Sequence, residues 1–324
     1  MKLLVTGGAG FIGSHYVRSV LGGAYPAFAD AEIVVLDLLT YAGTLTNLAS
    51  VRDAPRLRFA HGDIRDPALV ERVMSGVGVV VHFAAESHVD RSIVGAADFV
   101  STNVVGTQVL LQAALDAGVS RFVHVSTDEV YGSIDEGSWP ETHPLEPNSP
   151  YSASKAASDL LARSYHRTHG LPVCITRCSN NYGPHQFPEK VIPLFVSNLL
   201  DGKKVPLYGD GGNRRDWLHV DDHCRGVQLV AEKGRDGEVY NIGGGTELAN
   251  RELTHLLLTA VGADESMIEH VPDRKGHDRR YAVDWSKIAN ELGYSPAVPF
   301  ERGLAETVRW YAENRDWWEP LKAR

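Results

Sequence analysis

The sequence predicts an α/β chain: a doubly wound parallel sheet, joined to a smaller mixed C-terminal part. Three observations predict it. Short apolar runs alternate with helical patterns from residue 2 to residue 178, as the strands of a parallel sheet alternate with the helices that cover it. The run Val77 to Phe83 is apolar almost throughout, as a strand buried on both faces should be. Three glycines, Gly7, Gly10 and Gly13, separate the first apolar run from the first helical stretch, a tight turn between a strand and a helix.

The whole chain narrows the class. At 324 residues it has room for about two domains. Its 43% hydrophobic and 23% charged content are those of an ordinary globular protein. A net charge of −9 argues against broad binding to nucleic-acid phosphates. The N-terminus turns to glycine at position 7, too early for a signal peptide. No run approaches the roughly 18 apolar residues that cross a membrane. Cys174, Cys178 and Cys224 are odd in number and lack a paired spacing. Reduced thiols, no metal site and a cytoplasmic location are therefore expected.

Taken in order, Lys2 to Val5 reads as the first strand and Phe11 to Leu21 as the first helix. The glycines between them let a pyrophosphate approach the backbone at the helix N-terminus. Glu32 to Leu36 reads as the next strand and ends at Asp37, 24 residues after Gly13. An acid there accepts bonds from ribose hydroxyls and repels a 2′-phosphate, which favours NAD over NADP. Arg58 to Ala60 is a third strand, followed by Gly62-Asp63-Ile64-Arg65-Asp66. Asp63 either reaches the adenine or caps the helix that starts near Pro67; the residues alone leave both open. Val77 to Phe83 ends at Ala84-Ala85-Glu86-Ser87-His88, and Asn103 to Ala117 is an amphipathic helix.

Arg121 to Ser126 reads as the next strand, ending in Thr127, Asp128 and Glu129. Tyr151 and Lys155 follow, at the start of a helix expected over Ser152 to Thr168. That spacing puts phenol and ammonium on one face, and a cation beside a phenol favours the phenolate. Two adjacent carboxyls supply an acid and a base if their surroundings push their pKa values apart. Neighbours along an ideal strand face opposite ways, so the strand must break near Asp128. Beyond Val173 to Arg177 the pattern loosens, and scattered basic residues, with Arg274, Lys275, Arg279 and Arg280 among them, either form a solvated charged loop, which composition alone favours, or clamp a diphosphate. Trp310, Trp317 and Trp318 read as helix packing.

GGAGFIG at 7–13, Asp37 and YSASK at 151–155 resemble the extended short-chain dehydrogenase/reductase superfamily. TDEVYG at 127–132 is narrower and resembles the dTDP-glucose 4,6-dehydratases. TYAG at 40–43, HFAAESHVDRSI at 82–93, NNYGP at 180–184, FPEK at 187–190, RDWL at 215–218 and GHDRRYA at 276–282 resemble the same family. The likeness runs from Met1 to about Trp318. Leu38, His185 and Lys275 depart from the family pattern, and none is among the residues assigned to the chemistry.

The resemblance implies a Rossmann-type NAD-binding domain over 1–178, to which the chain returns around 216–243. A mainly sugar-nucleotide-binding domain covers 179–324. It implies bound, recycled NAD, dTDP-glucose as substrate and a homodimer built on Asn103 to Ala117 and Ser152 to Thr168. Thr127, Asp128, Glu129, Tyr151 and Lys155 are the implied catalytic residues. Cofactor contacts fall on Gly7, Gly10, Phe11, Ile12, Gly13, Asp37, Asp63 and Ile64, with Tyr151 and Lys155. Substrate contacts fall on Ser87, Thr127, Asn180, Lys190, Arg215, Asn250, Arg274, His277 and Tyr281. A nucleotide-sugar 4-epimerase would share the Tyr–Lys pair but needs no elimination acid and base. A non-catalytic NAD-binding regulator would need neither.

Overall fold

The computed structural model describes residues 1–322. The last two positions of the expected C-terminal domain, 323 and 324, lie outside the described residues. The first six strands are β1 (Lys2–Thr6), β2 (Glu32–Asp37), β3 (Leu57–His61), β4 (Val79–His82), β5 (Arg121–Thr127) and β6 (Val173–Cys178). There follow β7 (Asn180–Tyr182), β8 (Val205–Tyr208), β9 (Arg214–His219), β10 (Val239–Ile242), β11 (Glu247–Ala249) and β12 (Ile268–Val271).

Seven of these form one parallel sheet in the order β10-β6-β5-β4-β1-β2-β3. Its direction of winding reverses between β1 and β4, where α/β sheets open a crevice at their carboxyl edge. The two-residue period of the strands divides the core. Leu3, Val5, Ile33, Val35, Val79 and Val81 pack on one face against Tyr16, Val17 and Val20 of the helix Phe11–Leu21 and Val227 and Val230 of the helix Val220–Lys233. Leu4, Val34, Leu36, Val80 and Phe122 pack on the other against the helices Thr107–Ala117 and Pro150–His169. Small sheets β11-β9-β7 and β12-β8 belong to the C-terminal part. Their core gathers Tyr182, Phe195, Trp217, Phe300, Tyr311 and Trp318, with Trp310 and Trp317 packed against it.

Two helices differ from expectation. The stretch expected as one helix from Asn103 begins with a π-helical segment, Val100–Gly106, and becomes α-helical only at Thr107. The wide turn leaves the Asn103 side chain free to accept from Glu86 N–H (2.9 Å) and to donate to Glu86 O (3.0 Å) and Ser154 Oγ (2.9 Å). Such insertions accompany a side chain that has work outside the helix. The helix expected from Ser152 starts at Pro150, because Ser149 and Ser152 cap it reciprocally.

Under the sheet edge lies a buried ion pair, Arg177 Nε to Asp159 Oδ2 at 2.9 Å, with both side chains 2% exposed or less. Burial pushes the Asp159 carboxyl up, but Arg177 and His124 outweigh it and hold it at about 2. Arg177 also donates to Tyr131 Oη (2.7 Å), and Tyr131 donates to Asn241 Oδ1 (2.9 Å), so the pair ties the turn after β5 to β10. Asp159→Asn leaves a buried guanidinium unpaired and is expected to cost about 3–5 kcal/mol, read as a lowered midpoint in urea unfolding.

Candidate active site

A cavity of about 520 Å³ opens at the carboxyl edge where the winding reverses. Its wall includes Gly7, Gly10, Phe11, Ile12, Gly13, Asp37, Asp63 and Ile64 on one side. Ser87, Thr127, Asp128, Glu129, Tyr151, Lys155, Asn180 and Lys190 line the rest.

The glycine turn is built for close approach. Gly7 has φ +70°, and a Cβ there would stand 2.6 Å from Ala84 N. A Cβ on Gly13 would stand 2.3 Å from Gly7 O, so neither accepts a side chain. Asp37 accepts from Ala9 N–H (2.9 Å) and Leu39 N–H (2.8 Å), which fixes the turn to the end of β2. Together these form a cradle, open to the cavity, that fits a dinucleotide pyrophosphate and ribose. Asp63 does not cap the next helix. Asp66 does, accepting from Leu69 N–H at 3.1 Å. Asp63 instead grips Arg65, at 2.6 Å from Nη2, beside the cavity.

β5 ends at Thr127, and Asp128–Tyr131 is a 3₁₀ turn. The Thr127 hydroxyl accepts from Glu129 N–H at 3.3 Å, starting the turn. This is the break that two carboxyls on one cavity require. Asp128 lies well above the usual carboxylate range: burial raises it first, then the charges of Glu129 and Asp216, against Arg215. Burial also leaves Glu129 above its ordinary value, with Arg274, Lys190 and Arg215 offsetting part of that rise and Asp278 adding to it. The neighbouring carboxyls thus stand in different fields, one among acids and one facing three cations.

The Tyr–Lys expectation needs correction. Lys155 Nζ donates to Val125 O at 2.8 Å, and burial lowers its pKa to about 8. Tyr151 is raised, by burial first and then by Glu129 and Cys178, with the Thr127 hydroxyl opposing. Burial first, and the acidic neighbours after it, therefore oppose the phenolate, and the ammonium is turned to a backbone carbonyl rather than spent on the phenol.

The substrate-side residues divide. Lys190 Nζ donates to Ser87 O at 2.6 Å. Among the described residues, Asp128 Oδ2, Asn180 Oδ1 and Arg274 Nε are buried atoms without a partner. Arg215, Asn250, Arg274, His277 and Tyr281 lie outside the cavity wall, in the C-terminal part. The Arg215 guanidinium stacks 4.2 Å over the Tyr281 ring and donates to Asp278 O at 2.9 Å. Arg274 lies 3.7 Å from Asp90, and His277 bonds Asp273 at 2.6 Å. Asn250 opens the helix Asn250–Val261, its N–H bonded to Asn213 O at 2.9 Å.

Several wall residues escaped the sequence reading, Glu189, Cys178 and Gln186 among them. Glu189 faces Arg91 at 3.3 Å; an acid next to Lys190 in FPEK was its available signal. Cys178 and Gln186 also line the cavity, and nothing in their local sequence marks them. Of the departures, Leu38 is 38% exposed at the cavity rim. His185 adopts φ +69° and packs 4.4 Å from Trp310, while Lys275 is exposed. Among the described residues, no group of three or more His, Cys, Asp or Glu side chains is placed to hold a metal.

The family model for GDP-mannose 4,6 dehydratase matches residues 4–307. A dTDP-glucose 4,6-dehydratase from Streptomyces antibioticus is 65% identical over 100% of this chain and 96% of its own. The chain belongs to the dTDP-glucose 4,6-dehydratase family. The solved structure of DesIV, a dTDP-glucose 4,6-dehydratase from Streptomyces venezuelae with NAD bound, is 68% identical, with a TM-score of 0.98 over 99% of this chain and 100% of that one. A UDP-glucose 4-epimerase from Thermotoga maritima has the same fold at 34% identity, with a TM-score of 0.89 over 97% of this chain and 100% of that one. The fold therefore serves both chemistries, and the dehydratase family is set apart from the epimerase by overall identity.

Asp128 carries a stability signature. A raised folded-state pKa favours the protonated acid, so its contribution is full below the unfolded value and is lost as pH rises through the folded one. Asp128→Asn, which mimics the neutral acid, is expected to exceed wild type in urea midpoint near neutral pH. The two should converge below about pH 4, the ordinary Asp range.

Proposed function

We propose that this enzyme is an NAD-dependent hydro-lyase that converts dTDP-glucose to dTDP-4-keto-6-deoxyglucose. What carries the reading is the break of β5 at Thr127, which lets Asp128 and Glu129 share one cavity with Tyr151. Bound NAD supplies a hydride acceptor at carbon 4 and later a donor at carbon 6. Tyr151, in its ionised form, takes the proton of the carbon-4 hydroxyl, and Thr127 bonds that oxygen. Lys155 anchors the cofactor ribose. The 4-ketone acidifies the carbon-5 proton, and Glu129, facing three cations, removes it as base. Asp128, kept protonated, gives its proton to the carbon-6 hydroxyl as that leaves as water. Glu129 then returns a proton to carbon 5. Ser87, Asn180 and Lys190 hold the sugar, while Arg215, Asn250, Arg274, His277 and Tyr281 hold the dTDP portion.

The enzyme acts as a homodimer in the cytoplasm. Val105 and Leu160 are about half exposed on the two segments assigned to the interface, and the three cysteines are free and buried. Among the described residues no helix is long and apolar enough to cross a membrane.

The test is turnover of dTDP-, UDP-, GDP- and CDP-glucose side by side. The expected result is an alkali-induced 4-keto-6-deoxy chromophore with dTDP-glucose, without net release of NADH. Recovery of a 4-epimer alone would reject the dehydratase in favour of an epimerase.

A further inference from the structure

The glycine turn is held from an unexpected direction. Ala9, fully buried at its centre, has its N–H bonded to Asp37 Oδ2 (2.9 Å). Its carbonyl accepts from Asn47 Nδ2 at 2.9 Å and Thr44 N–H at 3.1 Å. Asn47 is 2% exposed, and its polar atoms are all engaged. Its N–H donates to Thr44 O (3.1 Å), and its carbonyl accepts from Arg18, on the helix that the glycine turn opens. Its Oδ1 accepts from the indole N–H of Trp317 at 3.0 Å. Trp317 is 270 residues away in sequence, on the helix Arg315–Lys322 that ends the described chain.

Trp317 belongs to the other half of the molecule. Its ring packs edge-on to Trp310 at 5.0 Å and to His185 at 5.5 Å. His185 follows the NNYGP turn, and Tyr311 donates to the carbonyl of Gln186, a cavity-wall residue. One continuous path therefore joins the sugar-side wall to the backbone of the dinucleotide turn.

We propose that Trp317 and Asn47 are positioning residues for the cofactor: the indole N–H orients the Asn47 amide, and the amide fixes the Ala9 carbonyl and so the shape of the glycine turn. The inference rests on the NAD-binding reading of that turn. An amide is required because it accepts at one end and donates at the other. The ring of Trp317 contributes packing, and its single N–H sets which way the amide is flipped. Without the indole the amide oxygen is left buried with no donor, and the bond to Ala9 alone holds the amide in place.

The test compares holoenzyme variants Trp317→Phe and Asn47→Ala with Trp310→Phe, which alters the same aromatic cluster but no bond to Asn47. Bound NAD retained after timed ultrafiltration is the readout. Loss of NAD is expected to be about fivefold faster for Trp317→Phe and Asn47→Ala, the scale of one ordinary hydrogen bond. Trp310→Phe should retain NAD as wild type does. With NAD added to saturation, the KM for dTDP-glucose should be unchanged in Trp317→Phe. Equal loss from Trp310→Phe and Trp317→Phe would overturn the proposal in favour of cluster packing, and so would wild-type retention in Trp317→Phe. Should Asn47→Ala not fold, Trp317→Phe decides. Wild type that holds no NAD would overturn the cofactor reading as well, whereas wild-type retention with unchanged variants overturns this inference alone.

Discussion

Glu129→Gln is expected to stop the enzyme after its first oxidation. Overall turnover should fall by about 10²–10⁴, the range of a lost general base. A near-ultraviolet NADH band should nevertheless develop when dTDP-glucose is added, because the carbon-4 step does not use this carboxylate. Glutamine keeps the shape and removes the charge that Arg274, Lys190 and Arg215 face. After burial, the same charge does most to raise both Asp128 and Tyr151. Its removal should therefore lower the phenol's pKa, and the pH profile of NAD reduction in Glu129→Gln should move to lower pH. Full turnover by Glu129→Gln would remove it from the base role, whatever else it does.

Tyr151→Phe is expected to fail one step earlier. With no group to take the carbon-4 proton, neither the NADH band nor the keto product should form, and turnover should fall by about 10³ or more. The ring stays packed: Tyr151 lies against Phe99, ring centroids 6.3 Å apart, so the change should leave the fold in place. The two variants thus separate oxidation from elimination by one absorbance measurement. A Tyr151→Phe protein that still reduced NAD would transfer the proton role to Thr127 or to water.

The fold was legible because local signals and tertiary packing agree over the first half. Each strand from β1 to β6 except β3 is a mainly apolar run, and each lies within a residue or two of where the pattern put it. The turn after β5 was legible as a requirement: adjacent carboxyls on one cavity demand a break, and the break falls at Asp128. The rest depended on information that local patterns lack. Asp63 and Asp66 are both acids before a proline, and only the bond to Leu69 N–H separates cap from cavity residue. The direction of the Lys155 ammonium depends on the Val125 carbonyl across the helix–strand contact. The π-helical segment at Val100–Gly106 follows from what Asn103 bonds, not from apolar periodicity. The Trp317–Asn47 bond joins opposite ends of the chain, where no spacing rule reaches.

β10 borders β6 in the large sheet, yet it is made only after β7, β8 and β9. On the ribosome this imposes an order of assembly. A nascent chain that has delivered β6 presents an open, apolar sheet edge until Val239–Ile242 emerges, and such edges recruit other chains. The intervening segment must therefore leave the exit tunnel before the cofactor half can close. A fragment ending at Cys178 would stay at that exposed stage indefinitely, and expression of the first six strands alone should give aggregate rather than a small NAD-binding protein.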